Sequence, residues 1–388
     1  MKVVFAHDHV FFRLGNSYYS NGGLSAEVLS RYTRIFDELV LLTRQQTINC
    51  TGEKLTEATI PRTRFVDIPN FKSIRTFSLK REASKRVMRE IDKCDFVIAR
   101  LPSSIGNIAL KHAIKVRKPF LVELVGCPWD ALWHYGSLLG KLLAPFAYSK
   151  TKKLVRNSKF VIYVSNEFLQ RRYPTKGRSI GCSNVSIPEP DEKVLQNRLE
   201  KLHSRDKRDS LILGTAAAVE VKYKGQQYVI RALAKLTELG YNMEYHLAGS
   251  GSREFLSSVA KKFGVMDKVK FVGSVPREKI LDYFDSIDIY IQPSKQEGLP
   301  RALIEAMSRG CPAIGSLTGG IPELLDSEFI FRNGSVSDIV RKIRSFDMGN
   351  MEQQAKINFE KAKEYHRDVL EKRRESFLTE FKRSIEEF

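Results

Sequence analysis

The sequence has little of what marks a secreted, zinc-binding or membrane-spanning protein. Its 388 residues include only five cysteines, which are scattered and form no C-x-x-C pair, so neither a disulfide framework nor a structural zinc site is expected. No apolar run approaches the roughly 18 residues of a membrane span. The first apolar run, Val3–Ala6, is too short for the core of a signal peptide. These absences predict a cytoplasmic protein.

Familiar motifs for phosphates and metals are also missing. The sequence has no G-x-x-x-x-G-K-[ST], no G-x-G-x-x-G after its first strand, no Asp-x-Asp and no H-E-x-x-H. His7-Asp8-His9 resembles a ligand cluster, but alternation along a strand sends the imidazoles to one side and the carboxylate to the other. Cys127, near Asp130 and His134 in the sequence, lacks an evident base that would make it a nucleophile. Neither a metal nor a cofactor is therefore expected.

Acidic residues are scarce in one half of the chain only. Residues 1–190 hold 31 Lys and Arg against 15 Asp and Glu, whereas residues 191–388 hold 33 against 30. The net charge of +19 therefore lies mostly in the first half, which indicates an anionic partner such as nucleic acid, a phosphorylated ligand or an acidic membrane surface. A basic surface that only confers solubility is the alternative. No RRM, KH or zinc-finger pattern supports nucleic acid.

Short β-branched runs alternate with amphipathic stretches along the chain. Strands are predicted at 2–6, 38–42, 65–68, 95–99, 119–124 and 159–164, and then at 211–214, 244–248, 268–272, 288–292 and 312–316. Continuously apolar strands are typical of parallel sheets covered by helices on both faces. The sequence therefore predicts an α/β fold with two Rossmann-like, doubly wound domains.

A polar, proline-containing stretch at 186–193 marks the domain boundary. It predicts an N-terminal domain over 1–190 and a C-terminal domain over 191–365. Residues 352–388 are expected to form two helices. The last, 366–388, carries a few apolar residues on a charged background, which is typical of a helix lying on a surface, and we expect it to pack on the N-terminal domain.

Ligands of open parallel sheets bind at the carboxyl ends of the strands. Glycines follow or flank predicted strands at Gly22-Gly23, Gly249-Ser250-Gly251 and Gly319-Gly320, where backbone can approach a phosphate closely. Ordinary turns are the alternative interpretation of each pair.

The segment QPSKQEGLPRALIEAMSRGCPAIGS at 292–316 has two carboxylates eight positions apart. Glu297 is expected in the loop after a strand, and Glu305 about one turn into a helix whose first turn contains Pro300. Between them, the N-terminus of this helix favours an anion, and carboxylates accept hydrogen bonds from a sugar or ribose diol. The alternative is a solvated Glu297 and a Glu305 that only complements the helix dipole.

This segment resembles the corresponding one of family 4 retaining glycosyltransferases, which have the GT-B fold of two Rossmann-like domains facing a cleft. The similarity extends to 222–233, 247–256, 268–294 and 319–325, and more loosely to Gly22-Gly23 and 160–173. The resemblance implies a retaining, metal-independent hexosyltransferase. Its donor would be a UDP- or GDP-linked sugar bound by the C-terminal domain, and no further cofactor is implied.

The resemblance also implies roles for individual residues. Glu305 would bind the ribose hydroxyls, Glu297 the sugar hydroxyls, and Lys224 the diphosphate as negative charge grows on it. Further donor contacts are implied at Gly23, Gly249, Gly251, Gly298 and Leu299. Asp130 is the candidate for positioning the acceptor hydroxyl, with a helix N-cap as the alternative.

The chain departs from the family pattern after the first strand of the C-terminal domain. Many members have an arginine there, paired with the lysine on the diphosphate, whereas this chain has Thr215 followed by alanines. Lys222 is a candidate replacement, although its spacing differs.

The resemblance and the charge asymmetry together suggest synthesis of a bacterial surface polysaccharide: capsule, O-antigen of lipopolysaccharide, or exopolysaccharide. The acceptor would be a polyprenyl-diphosphate-linked glycan. Alternatives are a sugar-nucleotide epimerase of the same fold and, from another class, a basic nucleic-acid-binding protein.

One segment suggests peripheral attachment to the inner face of the cytoplasmic membrane. In LLGKLLAPFAYSKTKKLVR at 138–156, leucines and a phenylalanine precede Lys150, Lys152, Lys153 and Arg156, and a second basic run spans 75–89. Apolar residues beside cations suit the surface of an anionic membrane. The alternative is that residues 138–146 pack in the core of the N-terminal domain.

Overall fold

The computed structural model describes residues 1–52, 55–134, 136–206 and 210–386. Contacts divide the described chain into two units, each assembled from separate pieces of sequence. The first contains residues 1–129, 143–184 and the segment from 371 onward, and the second contains 130–142 and 185–370. The continuous domain ranges derived from the sequence stay a prediction.

The first unit is built on one large sheet. Its strands are β1 (Lys2–Leu14), β2 (Ser17–Ser20), β3 (Glu38–Thr47), β4 (Thr56–Glu57), β5 (Thr63–Asp67), β6 (Phe96–Leu101), β7 (Phe120–Leu124), β8 (Phe160–Tyr163) and β9 (Arg178–Gly181). Seven of them run parallel in the order β5-β3-β1-β6-β7-β8-β9. Strands β2 and β4 add an antiparallel extension beside the far half of β1.

Helices alternate with these strands along the chain. They are α1 (Ala26–Thr33), α2 (Lys80–Asp92), α3 (Ser104–Lys115), α4 (Pro128–Trp133), α5 (Leu138–Arg156) and α6 (Phe168–Arg172). Residues 130–142, which include most of α4 and the start of α5, are grouped with the second unit. Helix α3 begins where Ser103 Oγ accepts a hydrogen bond from Gly106 N at 2.9 Å. Asp8 adds to this cap by accepting from Ser104 N at 2.7 Å and Ile105 N at 3.1 Å, which satisfies amides that have no partner within the helix.

The sheet of the second unit is entirely parallel. Its strands are β10 (Leu211–Ala216), β11 (Met243–Ala248), β12 (Val269–Gly273), β13 (Ile289–Gln292), β14 (Ala313–Ser316) and β15 (Ile330–Phe331). They lie in the order β12-β11-β10-β13-β14-β15, the strand order of a dinucleotide-binding sheet. After β10, the chain adds β11 and β12 on one side of this strand and then β13, β14 and β15 on its other side. The order therefore reverses between β10 and β13, and open parallel sheets bind ligands at such a topological switch point.

The helices of the second half complete the fold. They are α7 (Glu192–His203), α8 (Gln226–Glu238), α9 (Glu254–Lys262), α10 (Ile280–Ser286), α11 (Arg301–Met307), α12 (Val336–Arg344), α13 (Met348–Ala362) and α14 (Arg367–Glu386). The two helices expected over 352–388 are thus α13 and α14. Helix α11 begins at Arg301, so Pro300 stands at its N-cap and not, as the sequence had predicted, within its first turn.

Most of α14 belongs to the first unit, as the sequence predicted. The ring of Phe381 lies 5.5 Å from that of Phe96 and 5.3 Å from that of Phe160, between centroids. Arg374 is buried and donates to Ser183 O at 2.9 Å. Arg31 of α1 pairs with Glu371 at 2.6 Å. The predicted α/β class with two parallel sheets and a returning C-terminal helix is confirmed.

Candidate functional site

Four loops meet the carboxyl edge of the second sheet. A 3-10 turn, Lys222–Lys224, follows β10, and a glycine loop follows β11. Residues 293–300 follow β13 and lead into α11, and residues 317–320 follow β14. Since β11, β10, β13 and β14 are neighbours, these four loops lie side by side at the switch point.

Lys224 and Glu297 come together across two of these loops. Lys224 Nζ lies 2.6 Å from Glu297 Oε1, although the residues are 73 positions apart. Their side chains are only 23% and 12% exposed, so a charge-assisted hydrogen bond here is screened less than one at the surface. The structure therefore brings together the two residues to which the resemblance assigned the diphosphate (Lys224) and the donor sugar (Glu297).

The backbone fixes this pair. Gly225, directly after Lys224, has φ +81°, and a Cβ there would lie 2.0 Å from Pro293 O, so only glycine fits. Lys295 N donates to Tyr223 O at 2.7 Å. The two loops are thus joined on both sides of the ion pair.

A third loop supports Glu297 from β14. Gly320 N donates to Gly298 O at 2.8 Å, and Leu299 is 8% exposed. The glycine pair 319–320 therefore holds the stretch after Glu297. The donor contacts implied at Gly298 and Leu299 stay predictions.

A row of hydrogen-bonded side chains beneath Glu297 was not predicted from the sequence. Gln292, the last residue of β13, donates from Nε2 to Glu297 Oε1 at 3.2 Å and to Ser294 Oγ at 2.8 Å. Tyr290 OH donates to Gln292 Oε1 at 2.8 Å. The available signal was an amide at the end of an otherwise apolar strand.

Glu305 lies on α11, partly buried. Burial raises the pKa of its carboxyl above the usual range, and Arg301 and Arg277 oppose that rise. The pKa of the buried Tyr290 is also raised, mainly by burial and by Tyr283, with further contributions from the charges of Glu297 and Glu305. The charges of both carboxylates therefore act on the same buried hydroxyl group.

The glycine loop after β11 approaches the β10 loop closely. A Cβ on Gly249 would lie 1.9 Å from Ala217 O, and one on Gly251 would lie 2.7 Å from Glu220 Cδ. Gly249 N donates to Gly273 O at 2.7 Å, so this amide is already engaged within the protein. The implied donor contact at these two glycines stays a prediction.

Two candidates lie elsewhere in the chain. Gly23 belongs to the first unit, in the bend before α1. Asp130 lies in the first turn of α4 and not at its N-cap, which corrects that alternative. Burial lowers the pKa of His134, and the charge of Asp130 opposes this shift. Roles for Gly23 and Asp130 stay predictions.

Thr215, at the family's arginine position, and Lys222, the candidate replacement for that arginine, both contact residues outside the Lys224–Glu297 pair. Thr215 is buried, donates to Ile291 O at 2.7 Å and accepts from Tyr245 OH at 2.7 Å. Lys222 Nζ lies 4.7 Å from the centroid of the Phe255 ring, within the range of a cation–π contact. Neither side chain approaches the Lys224–Glu297 pair through a contact of the described residues.

His7, Asp8 and His9 each have partners within the protein. His7 Nδ1 lies 3.1 Å from Arg100 O, His9 Nε2 lies 2.9 Å from Ser20 Oγ, and Asp8 pairs with Lys72 at 2.8 Å. Burial, together with Arg100, lowers the pKa of both imidazoles to about 4. In the described part of the chain, no group of three or more His, Cys, Asp or Glu side chains is arranged to hold a metal ion.

The architecture is that of a GT-B glycosyltransferase. The structure of sucrose-phosphate synthase from Thermosynechococcus elongatus covers 99% of this chain and 99% of its own, with a TM-score of 0.69 and 15% sequence identity. HepE from Anabaena, in complex with UDP, covers 98% of this chain and 100% of its own, with a TM-score of 0.66 and 15% identity. At such identity the match establishes the fold.

Sequence relatives identify the family. Residues 196–363 match the family described as glycosyl transferases group 1. Protein CapJ of Staphylococcus aureus is 30% identical over 100% of this chain and 97% of its own length. The amylovoran biosynthesis glycosyltransferase AmsK of Erwinia amylovora is 34% identical over 42% of this chain and 43% of its own. The chain therefore belongs to the group 1 glycosyl transferases, which confirms the resemblance seen in the sequence.

Proposed function

We propose that this glycosyltransferase is retaining and metal-independent, and that it transfers a hexose from a nucleotide sugar during the synthesis of a bacterial surface polysaccharide. The observation that carries the proposal is the Lys224–Glu297 pair at the switch point. AmsK is named for amylovoran biosynthesis, and WcaL of Escherichia coli, a further relative, is named as a putative colanic acid biosynthesis glycosyltransferase. HepE has been solved with UDP-glucose, which supports a UDP-linked donor.

The chemistry follows from where charge develops. As the glycosidic bond breaks, the diphosphate gains negative charge, which a fixed ammonium stabilises more in the transition state than in the ground state. Lys224 supplies this ammonium. Glu297 accepts hydrogen bonds from the donor sugar, and Glu305 accepts from the ribose diol. The retaining outcome and the metal independence rest on the resemblance.

Donor identity and reaction type can be tested together. A thermal-shift panel of UDP- and GDP-sugars is expected to reveal the donor, because a bound ligand stabilises the fold by mass action. A radiolabelled donor should then transfer its label to an acceptor with an unchanged anomeric configuration. An isomerised sugar nucleotide without transfer would favour the epimerase.

Glu297→Gln provides the matched variant for that assay. It is expected to keep the nucleoside diphosphate shift but to lower turnover by about 10²-fold or more, the typical cost of removing one group that stabilises the transition state. Steady-state kinetics with the identified donor measures the change. Wild-type turnover by this variant would refute the assignment of Glu297 to the sugar.

We further propose that the acceptor is lipid-linked and that the enzyme attaches to an anionic membrane surface through α5. Leu138, Leu142 and Phe146 are 81%, 69% and 74% exposed, so the structure disfavours packing of this segment in the core. Their i, i+4, i+8 spacing forms one face of the helix. Lys150 continues the series, and its pKa is lowered by burial and by the charges of Lys111 and Lys80, which indicates cations gathered beside the apolar face.

Co-sedimentation with liposomes tests this attachment. The protein is expected to bind vesicles containing anionic lipid at low salt and to be released by high salt, because each cation near such a surface contributes about 1 kcal/mol. Replacing Leu142 and Phe146 with serine should abolish binding. Leu239→Ser, at a leucine that follows α8 and is 56% exposed, is the control and should bind normally. No sedimentation of the wild type at low salt would contradict attachment.

No described helix is both long and apolar enough to cross a membrane. Attachment at the surface through α5 is therefore the mode that we propose, on the cytoplasmic face where nucleotide sugars are the donors.

A further inference from the structure

Gln292 is a buried amide that is hydrogen-bonded to three polar side chains. It is 2% exposed, and the hydroxyls of Tyr290 and Ser294 beside it are on residues that are 0% exposed. A carboxylate can only accept hydrogen bonds, so the contact with Glu297 Oε1 at 3.2 Å requires the amide nitrogen to face it. The amide oxygen is then left to accept from Tyr290 OH at 2.8 Å, which fixes the orientation of the group.

The base of this network is rigid. Ser316 Oγ, on β14, donates to Ser294 O at 2.6 Å, so the strand-end loops of β13 and β14 are tied beneath the amide. Ser294 Oγ lies 2.8 Å from Gln292 Nε2. Both amide hydrogens and the amide oxygen of Gln292 therefore have partners, and rotation of the side chain would leave buried polar atoms unpaired, which is costly.

One oxygen of Glu297 thus has two donors of different kinds. Lys224 supplies a partly exposed ammonium on a flexible stem, and Gln292 supplies a buried N–H from a fixed amide. A bound diphosphate competes with the carboxylate for the ammonium, because both are anions within reach of one cation. When the ammonium turns toward the phosphates, the amide is the one hydrogen-bond donor in the described part of the chain that continues to hold Glu297.

We propose that Gln292 is a positioning residue, which holds the Glu297 carboxylate in its orientation toward the donor sugar while Lys224 is engaged by the diphosphate. This inference rests on the proposed function of the site. Gln292 touches neither sugar nor phosphate in this scheme and acts entirely through Glu297. Such support of a reactive group by a buried neighbour is what preorganised sites require.

Gln292→Met tests the inference, since methionine has nearly the same shape and lacks the amide. It is expected to lower kcat by about 10- to 100-fold, in the range found when the supporting partner of a functional group is removed. The KM for the donor and the affinity for the nucleoside diphosphate should change less than twofold, because Glu305 still holds the ribose. A structural defect would instead lower both kcat and the affinity for the nucleoside diphosphate.

A double-mutant cycle gives the decisive measurement. If Gln292 acts only through Glu297, adding Gln292→Met to Glu297→Gln should slow the enzyme no further. Multiplicative losses in the double variant would overturn the inference. So would a folded Gln292→Met enzyme with wild-type kcat.

Two further variants separate positioning from damage to the fold. Gln354, which is 1% exposed, exchanges hydrogen bonds of 2.7 Å with the backbone N and O of Ala313. Gln354→Met removes an equally buried amide and should reduce thermal stability without affecting kcat; an equal loss of kcat would overturn the inference.

If Gln292→Met fails to fold, Gln292→Glu decides, because it keeps the acceptor for Tyr290 but places a carboxylate against Glu297. It should lower kcat, and wild-type kcat in that variant would again overturn the inference.

Activity of the wild-type enzyme distinguishes failure of the proposed function from failure of the positioning role of Gln292. If it transfers sugar from none of the nucleotide sugars, the proposed function fails. If it does transfer sugar and the Gln292 variants behave like the wild type, only the positioning role fails.

Discussion

Lys224→Ala is expected to lower kcat by about 10²–10³-fold, which is the typical cost of removing one group that stabilises a developing anion. The KM for the donor should rise much less, since the charge that the lysine meets grows as the glycosidic bond breaks. Among the described residues, the substitution also leaves Glu297 Oε1 with only its 3.2 Å contact from Gln292. Steady-state kinetics with varied donor, at fixed acceptor, measures both parameters.

A neighbouring lysine on the same turn provides the control. The ammonium of Lys222 lies against the ring of Phe255 and not against Glu297, so Lys222→Ala should keep kcat within about twofold. Lys224→Arg should restore only part of the activity, because a planar guanidinium does not replace a compact ammonium. Full activity of Lys224→Ala, or an equal loss in Lys222→Ala, would assign the diphosphate to another group.

Glu305→Gln is expected to have opposite effects on binding and on stability. Without the charged acceptor, affinity for the nucleoside diphosphate should fall about tenfold or more, because hydrogen bonds to charged groups contribute about 1.5–3 kcal/mol. The ligand-free protein should become more stable at neutral pH. Burial raises the pKa of Glu305, so the folded state binds its proton more tightly than the unfolded state does, and stability is lost as pH rises through that pKa. An uncharged amide avoids this loss.

Calorimetric titration and thermal unfolding at neutral pH measure the two effects. Asp338→Asn is the control with the opposite sign. Hydrogen bonds and the charge of Arg332 lower the pKa of Asp338 to about 2, so its charge stabilises the fold above the pKa of the unfolded state, and that contribution is lost as pH falls toward 2. Asp338→Asn should therefore lower the melting temperature without affecting nucleotide binding. Unchanged nucleotide affinity in Glu305→Gln would contradict its assignment to the ribose.

The elements predicted with least error were those whose apolar runs are continuous. β6 and β13 lie within a residue or two of their predicted bounds, because strands buried on both faces must be apolar throughout. The short strands β2, β4, β9 and β15 were not anticipated. Two to four residues are too few for a period to show.

Within the site, the sequence predicted which residues take part better than it predicted how they are arranged. Lys224 and Glu297 were singled out through the family resemblance, and the structure places them in contact. Gln292 was missed because a single amide has no period or spacing of its own, and its significance depends on Glu297 folding back over the end of β13. The shift in the pKa of Glu305 likewise depends on its three-dimensional burial, which spacing along a helix does not specify.

The packing of α14 has a consequence for the order in which the chain can mature during synthesis. The first unit needs residues from 371 onward, including the ring of Phe381 against Phe96 and Phe160, whereas the second unit is complete by residue 370. On the ribosome, where chains emerge from the N-terminus, the unit that begins first must therefore finish last. The apolar surface that α14 covers stays open until the final helix has left the exit tunnel, so a nascent chain stalled before residue 371 should expose a site for chaperones.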